Sequence, residues 1–128
     1  MKSVHLIGAA IAAALATISA PAIAHPKLIS STPAAQATVT NTTQVSLTFS
    51  ETLMAPVSGI DLAMTGMPGM ANHAPMKMAG FKTSVAANGK TLVAVFPRPL
   101  PAGTYKLDWH AVSTDTHKIT GTLAFTVR

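Results

Sequence analysis

Beyond residue 43 the apolar residues of this chain alternate with polar ones in short runs, and Pro, Gly or Asn-Gly closes most of them. A period of two puts alternate side chains on one face, so these runs read as half-buried strands. The breakers leave no room for a helix longer than a turn. Gln44–Phe49 places Val45, Leu47 and Phe49 on one face. Gly103–Trp109 does the same with Tyr105, Leu107 and Trp109, and Ile119–Val127 with Ile119, Leu123, Phe125 and Val127. Gly121 interrupts that last face and signals a bulge or a close approach. Lys27–Ser30 and Val57–Leu62 are further candidates, the first followed by a turn rich in Ser, Thr, Pro and Ala. Phe81–Val85 and Thr91–Phe96 flank Ala87-Asn88-Gly89-Lys90, whose Asn-Gly pair predicts a hairpin. Pro97, Pro99 and Pro101 then stop further pairing, which predicts a crossover or an edge. About seven short strands separated by turns predict an all-β Greek-key sandwich of the immunoglobulin or cupredoxin kind. Leu100–Tyr105, with its Pro-Ala-Gly-Thr-Tyr, has the form of a tyrosine corner.

The first residues follow another logic. Met1–Ala24 has Lys2 at its start, a small apolar run from Leu6 to Ile18 and Ala22-Ile23-Ala24 at its end. A charged start, an apolar middle and an A-x-A site predict a secretory signal peptide cleaved after Ala24. The apolar run is too short and alanine-rich for an anchor, and no later segment is long enough to span a bilayer, so no stable membrane insertion is expected. The mature domain then covers residues 25–128, opening on His25 and long enough to bury a core without disulfides. There is no cysteine. An exported chain thereby avoids thiol oxidation, while methionine still offers a soft ligand. Losing Lys2 lowers the net charge from +5 to +4. The remaining Lys and Arg are scattered rather than clustered with aromatics, which argues against nucleic-acid binding.

Met64–Met78, reading MTGMPGMANHAPMKM, is the stretch that folding alone does not call for. It holds Met64, Met67, Met70, His73, Met76 and Met78 among Gly66, Pro68, Gly69 and Pro75. Those breakers predict that neither helix nor regular strand persists there. Methionine ordinarily fills gaps in cores, but a loop has no core in which to hide five thioethers. Thioethers and an imidazole in one mobile loop suit Cu(I).

A second group lies between the last two long strands, in His110-Ala111-Val112-Ser113-Thr114-Asp115-Thr116-His117. On an extended segment Asp115 and His117 would share a face. Alone, an Asp-x-His pair is a weak signal that reads first as a hydrogen-bonded loop pair. Cleavage before His25 adds an α-amine that can chelate together with its own imidazole. Pro26 has no amide N–H, which confines the chelate to amine and ring. Three nitrogens, from the amine, His25 and His117, with a carboxylate oxygen suit tetragonal Cu(II). Alternation places His110 opposite Trp109, exposed to solvent, and makes Trp109 a core anchor whose fluorescence would report metal binding nearby. Met54 is expected in or near the core.

His25-Pro26-Lys27-Leu28, Ser31-Thr32-Pro33, Phe49-Ser50-Glu51, Pro101–Tyr105, Trp109, Ser113-x-Asp115-x-His117 and Gly121-x-x-x-Phe125-x-Val127 together make a pattern. In it the chain resembles the CopC/PcoC family of periplasmic copper-resistance proteins along essentially its whole mature length. The resemblance implies a β-sandwich with a Cu(II) site at one end and, in some members, a Met-rich Cu(I) site at the other. It implies Cu(II) at the His25 amine and ring, His117 and Asp115, with Glu51 a weaker or outer ligand or else a solvated strand-end residue. For Cu(I) the matching positions are Met64, Met67, Met70, His73 and Met76. The chain departs from the pattern by one extra residue between Met70 and His73, which leaves open which sulfurs bind together, and Met78 could substitute for one of them. The implied role is a copper carrier rather than an enzyme, in copper resistance or homeostasis. The implied partners are an inner-membrane copper importer and a multicopper oxidase.

Two rival readings remain at this level. An amino-terminal histidine chelate also resembles the histidine brace of copper polysaccharide monooxygenases, but Asp115 would fill a position that oxygen chemistry needs open. One Trp and one Tyr make no sugar platform. A metal-independent interaction module is the other, and it predicts no effect of metal on thermal stability.

Overall fold

In the computed structural model the described residues are 26–128; the expected signal peptide and His25 lie outside them. Nine strands form: β1 (Leu28–Thr32), β2 (Thr38–Val39), β3 (Gln44–Phe49), β4 (Gly59–Gly66), β5 (Met76–Lys77), β6 (Lys82–Val85), β7 (Thr91–Val95), β8 (Gly103–Val112) and β9 (Lys118–Val127). The helical content among the described residues is one 3-10 turn, Ala55–Val57. The strands pack as a sandwich of two sheets, ordered β1-β3-β7-β6 and β2-β9-β8-β4-β5. β3 to β4, β5 to β6 and β7 to β8 each cross between the sheets, the last through the expected run of prolines.

The alternation sets which face is buried. Val45, Leu47, Phe49, Leu92 and Ala94 come from one sheet; Leu62, Tyr105, Leu107, Trp109, Leu123 and Phe125 come from the other. Each large aliphatic side chain withdrawn from water in this way contributes about 1.5–3 kcal/mol. Tyr105 stacks on Phe125 with ring centroids 5.4 Å apart, and its hydroxyl donates to the Pro101 carbonyl at 2.6 Å. That bond makes the tyrosine corner and pins the crossover to the start of β8.

Two short strands depart from the sequence expectation. β2, inside the Ser/Thr/Pro/Ala turn, pairs in parallel with the end of β9. β5 adds Met76 and Lys77 to the edge of β4, so the ends of the methionine stretch are strand after all. Two residues carry too little periodicity to be read. The β6–β7 hairpin forms around Asn88-Gly89, but with a longer loop than a two-residue turn. The Asn88 side-chain carbonyl accepts the Lys90 and Thr91 amides at 2.9 and 3.1 Å, and Gly89 takes φ +73°. Gly121 is a close approach and not a bulge: β8 and β9 pair without interruption, with Trp109 opposite Gly121. A Cβ there would lie 2.2 Å from Trp109 Cζ2.

Candidate metal-binding ends of the sandwich

Antiparallel β8 and β9 run the length of the domain, so their connecting loop and their free ends lie at opposite poles. At the first pole three segments are laced together through the backbone. Lys27 N–H donates to Ser50 Oγ and Ser50 N–H returns a bond to the Lys27 carbonyl, both at 2.9 Å. Pro26, just ahead, is fully buried. On the other side of the same turn, Thr114 N–H donates to the Thr52 carbonyl at 3.0 Å and Met54 N–H to Val112 at 2.8 Å. Glu51, partly exposed, stands between these two sets of bonds. The start of the domain is therefore held beside the 113–117 loop by the 50–54 turn.

Asp115 and His117 do meet, though not on an extended segment. Thr116 N–H bonds back to Ser113 at 2.8 Å and Thr116 takes φ +71°, so the chain turns tightly between them. Ser113, 2 % exposed, donates its hydroxyl to one Asp115 oxygen; the other lies 3.1 Å from His117 Nδ1. Ser113 chiefly, against some desolvation and with help from His117, holds the Asp115 carboxyl below the usual carboxylate range. The ionised carboxylate favours the proton on Nδ1, which puts the imidazole lone pair on Nε2. This is the way a carboxylate orients a metal-binding histidine. Among the described residues no three His, Cys, Asp or Glu side chains converge. His25 is outside that set, so the described part supplies His117 and Asp115, with Glu51 close in the chain to their anchoring turn.

Trp109 is nearly buried and meets Phe49 edge-on, centroids 5.0 Å apart. Phe49 leads directly into Ser50 and Glu51, so the indole lies one layer beneath this pole. His110 is on the opposite, outer face as alternation requires, but it is half-buried and not exposed as expected, because its ring lies over Gly59. Met54 is half-buried.

At the second pole β4 ends at Gly66 and the chain folds back over it. A Cβ on Gly66 would lie 2.3 Å from the Ala71 carbonyl oxygen. Met67 and Met70 exchange backbone bonds of 2.9 Å around Pro68-Gly69. Proline followed by a glycine at φ +83° is the chemistry of a type II turn. Met67, Met70 and Met76 are 36, 54 and 52 % exposed, far from the behaviour of core filler. Met64 is different: it is 5 % exposed, belongs to β4 and packs in the core. Met78 also packs against the core, its N–H bonded to the Leu62 carbonyl at 2.8 Å. The expectation that all five thioethers belong to a loop is thus corrected for these two, because β4 and its β5 edge carry them inward. His73 Nδ1 is 2.7 Å from the Ala74 carbonyl, and its Nε2 is buried without a partner. An N–H on Nδ1 leaves Nε2 as an unsatisfied acceptor in the loop that presents Met67 and Met70. A buried acceptor without a partner is costly, and a metal ion would satisfy it.

Sequence reasoning did not single out Ser50, Thr52 or Ser113 as supports. Ser113 could have been found from its spacing to Asp115; the other two act through tertiary bonds that no local pattern encodes.

Residues 28–128 match the CopC domain family. The chain is 50 % identical over 107 residues to copper resistance protein C of Escherichia coli, covering 84 % of each chain. It is 50 % identical over 113 residues to copper resistance protein C of Pseudomonas syringae pv. tomato, covering 87 % of this chain and 86 % of the relative. Its fold superposes with a TM-score of 0.74 on the crystal structure of PcoC, a methionine-rich copper resistance protein from Escherichia coli. That match has 48 % identity and covers 82 % of this chain and all of the other.

Proposed function

This chain belongs to the CopC domain family, and from that premise we propose that it is a copper-resistance carrier of the periplasm with two unlike copper sites. Copper is its cargo, and the chain is not an enzyme. Cu(II) is held at the first pole by the amine and ring of His25, by His117 Nε2 and by Asp115, which both orients His117 and offers an oxygen. Glu51 serves from outside this set. Cu(I) is held at the second pole by Met67, Met70, Met76 and His73 Nε2, with Met64 and Met78 forming the wall behind them.

The observation that supports this reading is the segregation of donors. Asp115 and His117 meet at one end, and the exposed thioethers, with His73 among them, lie at the other. Borderline and hard ligands favour Cu(II), and thioethers favour Cu(I), so copper reduced or oxidised by an outside electron donor or acceptor would favour release from one pole and capture at the other. An inner-membrane importer and a multicopper oxidase are the partners such a carrier would serve.

Titration of the mature protein with each oxidation state tests the assignment. One Cu(II) is expected to disappear in His25→Ala, with Trp109 fluorescence reporting its loss. One Cu(I) is expected to disappear when Met67, Met70 and Met76 become leucine. Unchanged stoichiometry in both variants would remove the two-site carrier.

A further inference from the structure

We propose that the methionine pole is a docking surface for an acidic protein partner that inserts an apolar side chain beside Met67. The proposal rests on the carrier reading in one respect, since it names the class of partner that meets the Cu(I) end. The surface itself is a property of the metal-free protein.

A cavity of about 480 Å3 opens at this pole between the folded-back loop and the ends of β8 and β9. Gly66, Met67, Pro68, Ala102, Gly103 and Val127 line it, almost entirely with carbon, and Arg128 stands at its edge. Exposed Met67, Met70 and Met76 extend this apolar surface outward. Thioethers on flexible unbranched side chains adapt to an incoming surface better than branched aliphatics do.

Charge says what kind of surface comes in. No Asp or Glu occurs between Asp61 and Asp108, a stretch that contributes Lys77, Lys82, Arg98 and Lys106 to this half of the molecule. Lys77 and Lys106 both pair in register with Ala63 and so flank it on the outer face of the five-stranded sheet. Lys106 has Asp108 at 3.9 Å, but both are half exposed and such a contact neutralises little. The acids all lie from the Asp61–Asp108 pair toward the other pole, where Glu51 and Asp115 sit. An apolar hollow with Arg128 at its edge, in a half of the molecule that carries Lys77, Lys82, Arg98 and Lys106, is complementary to an acidic surface around a protruding side chain.

Other occupants fit less well. A second copy docked through this pole would bring the same positively charged half against itself. An anionic membrane would satisfy the charge, but insertion needs protruding aromatic or large aliphatic groups. Here the surface is hollow, and residues 67–76 contain no Trp, Tyr, Phe or Leu.

The test is amide chemical-shift mapping of the metal-free mature protein at low salt. The probe is a short synthetic peptide of aspartate, glutamate, leucine and methionine. Controls are the same peptide with lysine for its acids, and phosphatidylglycerol vesicles. Shifts are expected at Gly66–Ala71, Ala102–Thr104 and Val127–Arg128. Affinity is expected to fall roughly tenfold or more in the Lys77→Glu, Lys106→Glu, Arg128→Glu variant, whose folding is checked by its spectrum. Shifts located elsewhere, equal binding of the lysine peptide, an unaffected triple variant, or preference for the vesicles would each overturn the proposal. Cu(I) stoichiometry, measured separately, distinguishes failure of the docking surface from failure of the carrier.

Discussion

Replacing Gly121 by alanine is the sharpest test of how the core supports the first pole. The new Cβ would lie 2.2 Å from Trp109 Cζ2 and 2.6 Å from Cε2, whereas carbon atoms rest about 3.5–4.0 Å apart. The indole must therefore move by more than an ångström. It is 7 % exposed and bears on Phe49, which is wholly buried, so it has nowhere to go without disturbing a second ring. Overpacking of this kind costs about 1–3 kcal/mol, and a rigid bicyclic side chain belongs near the top of that range. Alanine recovers roughly 0.5–1 kcal/mol of the entropy that glycine loses in a strand. The net expectation is a destabilisation of about 2 kcal/mol, or a Tm lower by roughly 10 °C. Urea unfolding followed by far-ultraviolet circular dichroism measures it in every background, including one that lacks the chain's one tryptophan. The same substitution in a Trp109→Phe background, where the clashing part of the indole is gone, should cost less than about 0.5 kcal/mol. A Gly121→Ala protein as stable as the parent, or an equal cost in both backgrounds, would refute the packing argument.

Tyr105→Phe removes a buried hydroxyl bonded at 2.6 Å to Pro101 and should cost about 1 kcal/mol in urea unfolding; no change would mean that the corner does not pin the crossover. Asp115→Asn tests the first pole by pH. The native carboxyl titrates below its ordinary value, so its contribution is complete above about pH 4 and is lost as pH falls through the depressed native value. The variant should therefore be less stable than the parent at pH 6 and converge with it in strong acid; a gap that stays constant with pH would refute the assignment. The same variant should bind Cu(II) roughly 10–100-fold more weakly, because His117 loses its orienting carboxylate. Placing one extra alanine ahead of His25 should abolish tight Cu(II) binding and leave Cu(I) binding intact, as competition against a chelator of known affinity would reveal.

Much of the sandwich was legible because its long strands are amphipathic by strict alternation. Gln44–Phe49 was read to the residue, and β8 and β9 to within a few residues at one end. Their buried faces are the ones that the periodicity marks. What escaped reading was whatever depends on a partner strand. β2 and β5 are two residues each and exist because β9 and β4 offer unpaired edges. Met64 looked like its neighbours in composition, yet its place in β4 turns it toward Tyr105 and the core. Asp115 and His117 were paired correctly, but through the left-handed Thr116 and not through an extended backbone. Side-chain identity made the pair visible, while the turn that joins them is closed by bonds to the backbone and hydroxyl of Ser113.

β8 carries ten residues from one pole to the other, and at about 3.3 Å per residue its ends are some 30 Å apart. No side chain spans that gap, and the packed interior between offers no channel of donors. An ion that leaves one end can reach the other only by way of solvent or a second molecule. The two tips are therefore far enough apart for separate molecules to approach both at once without obstructing one another.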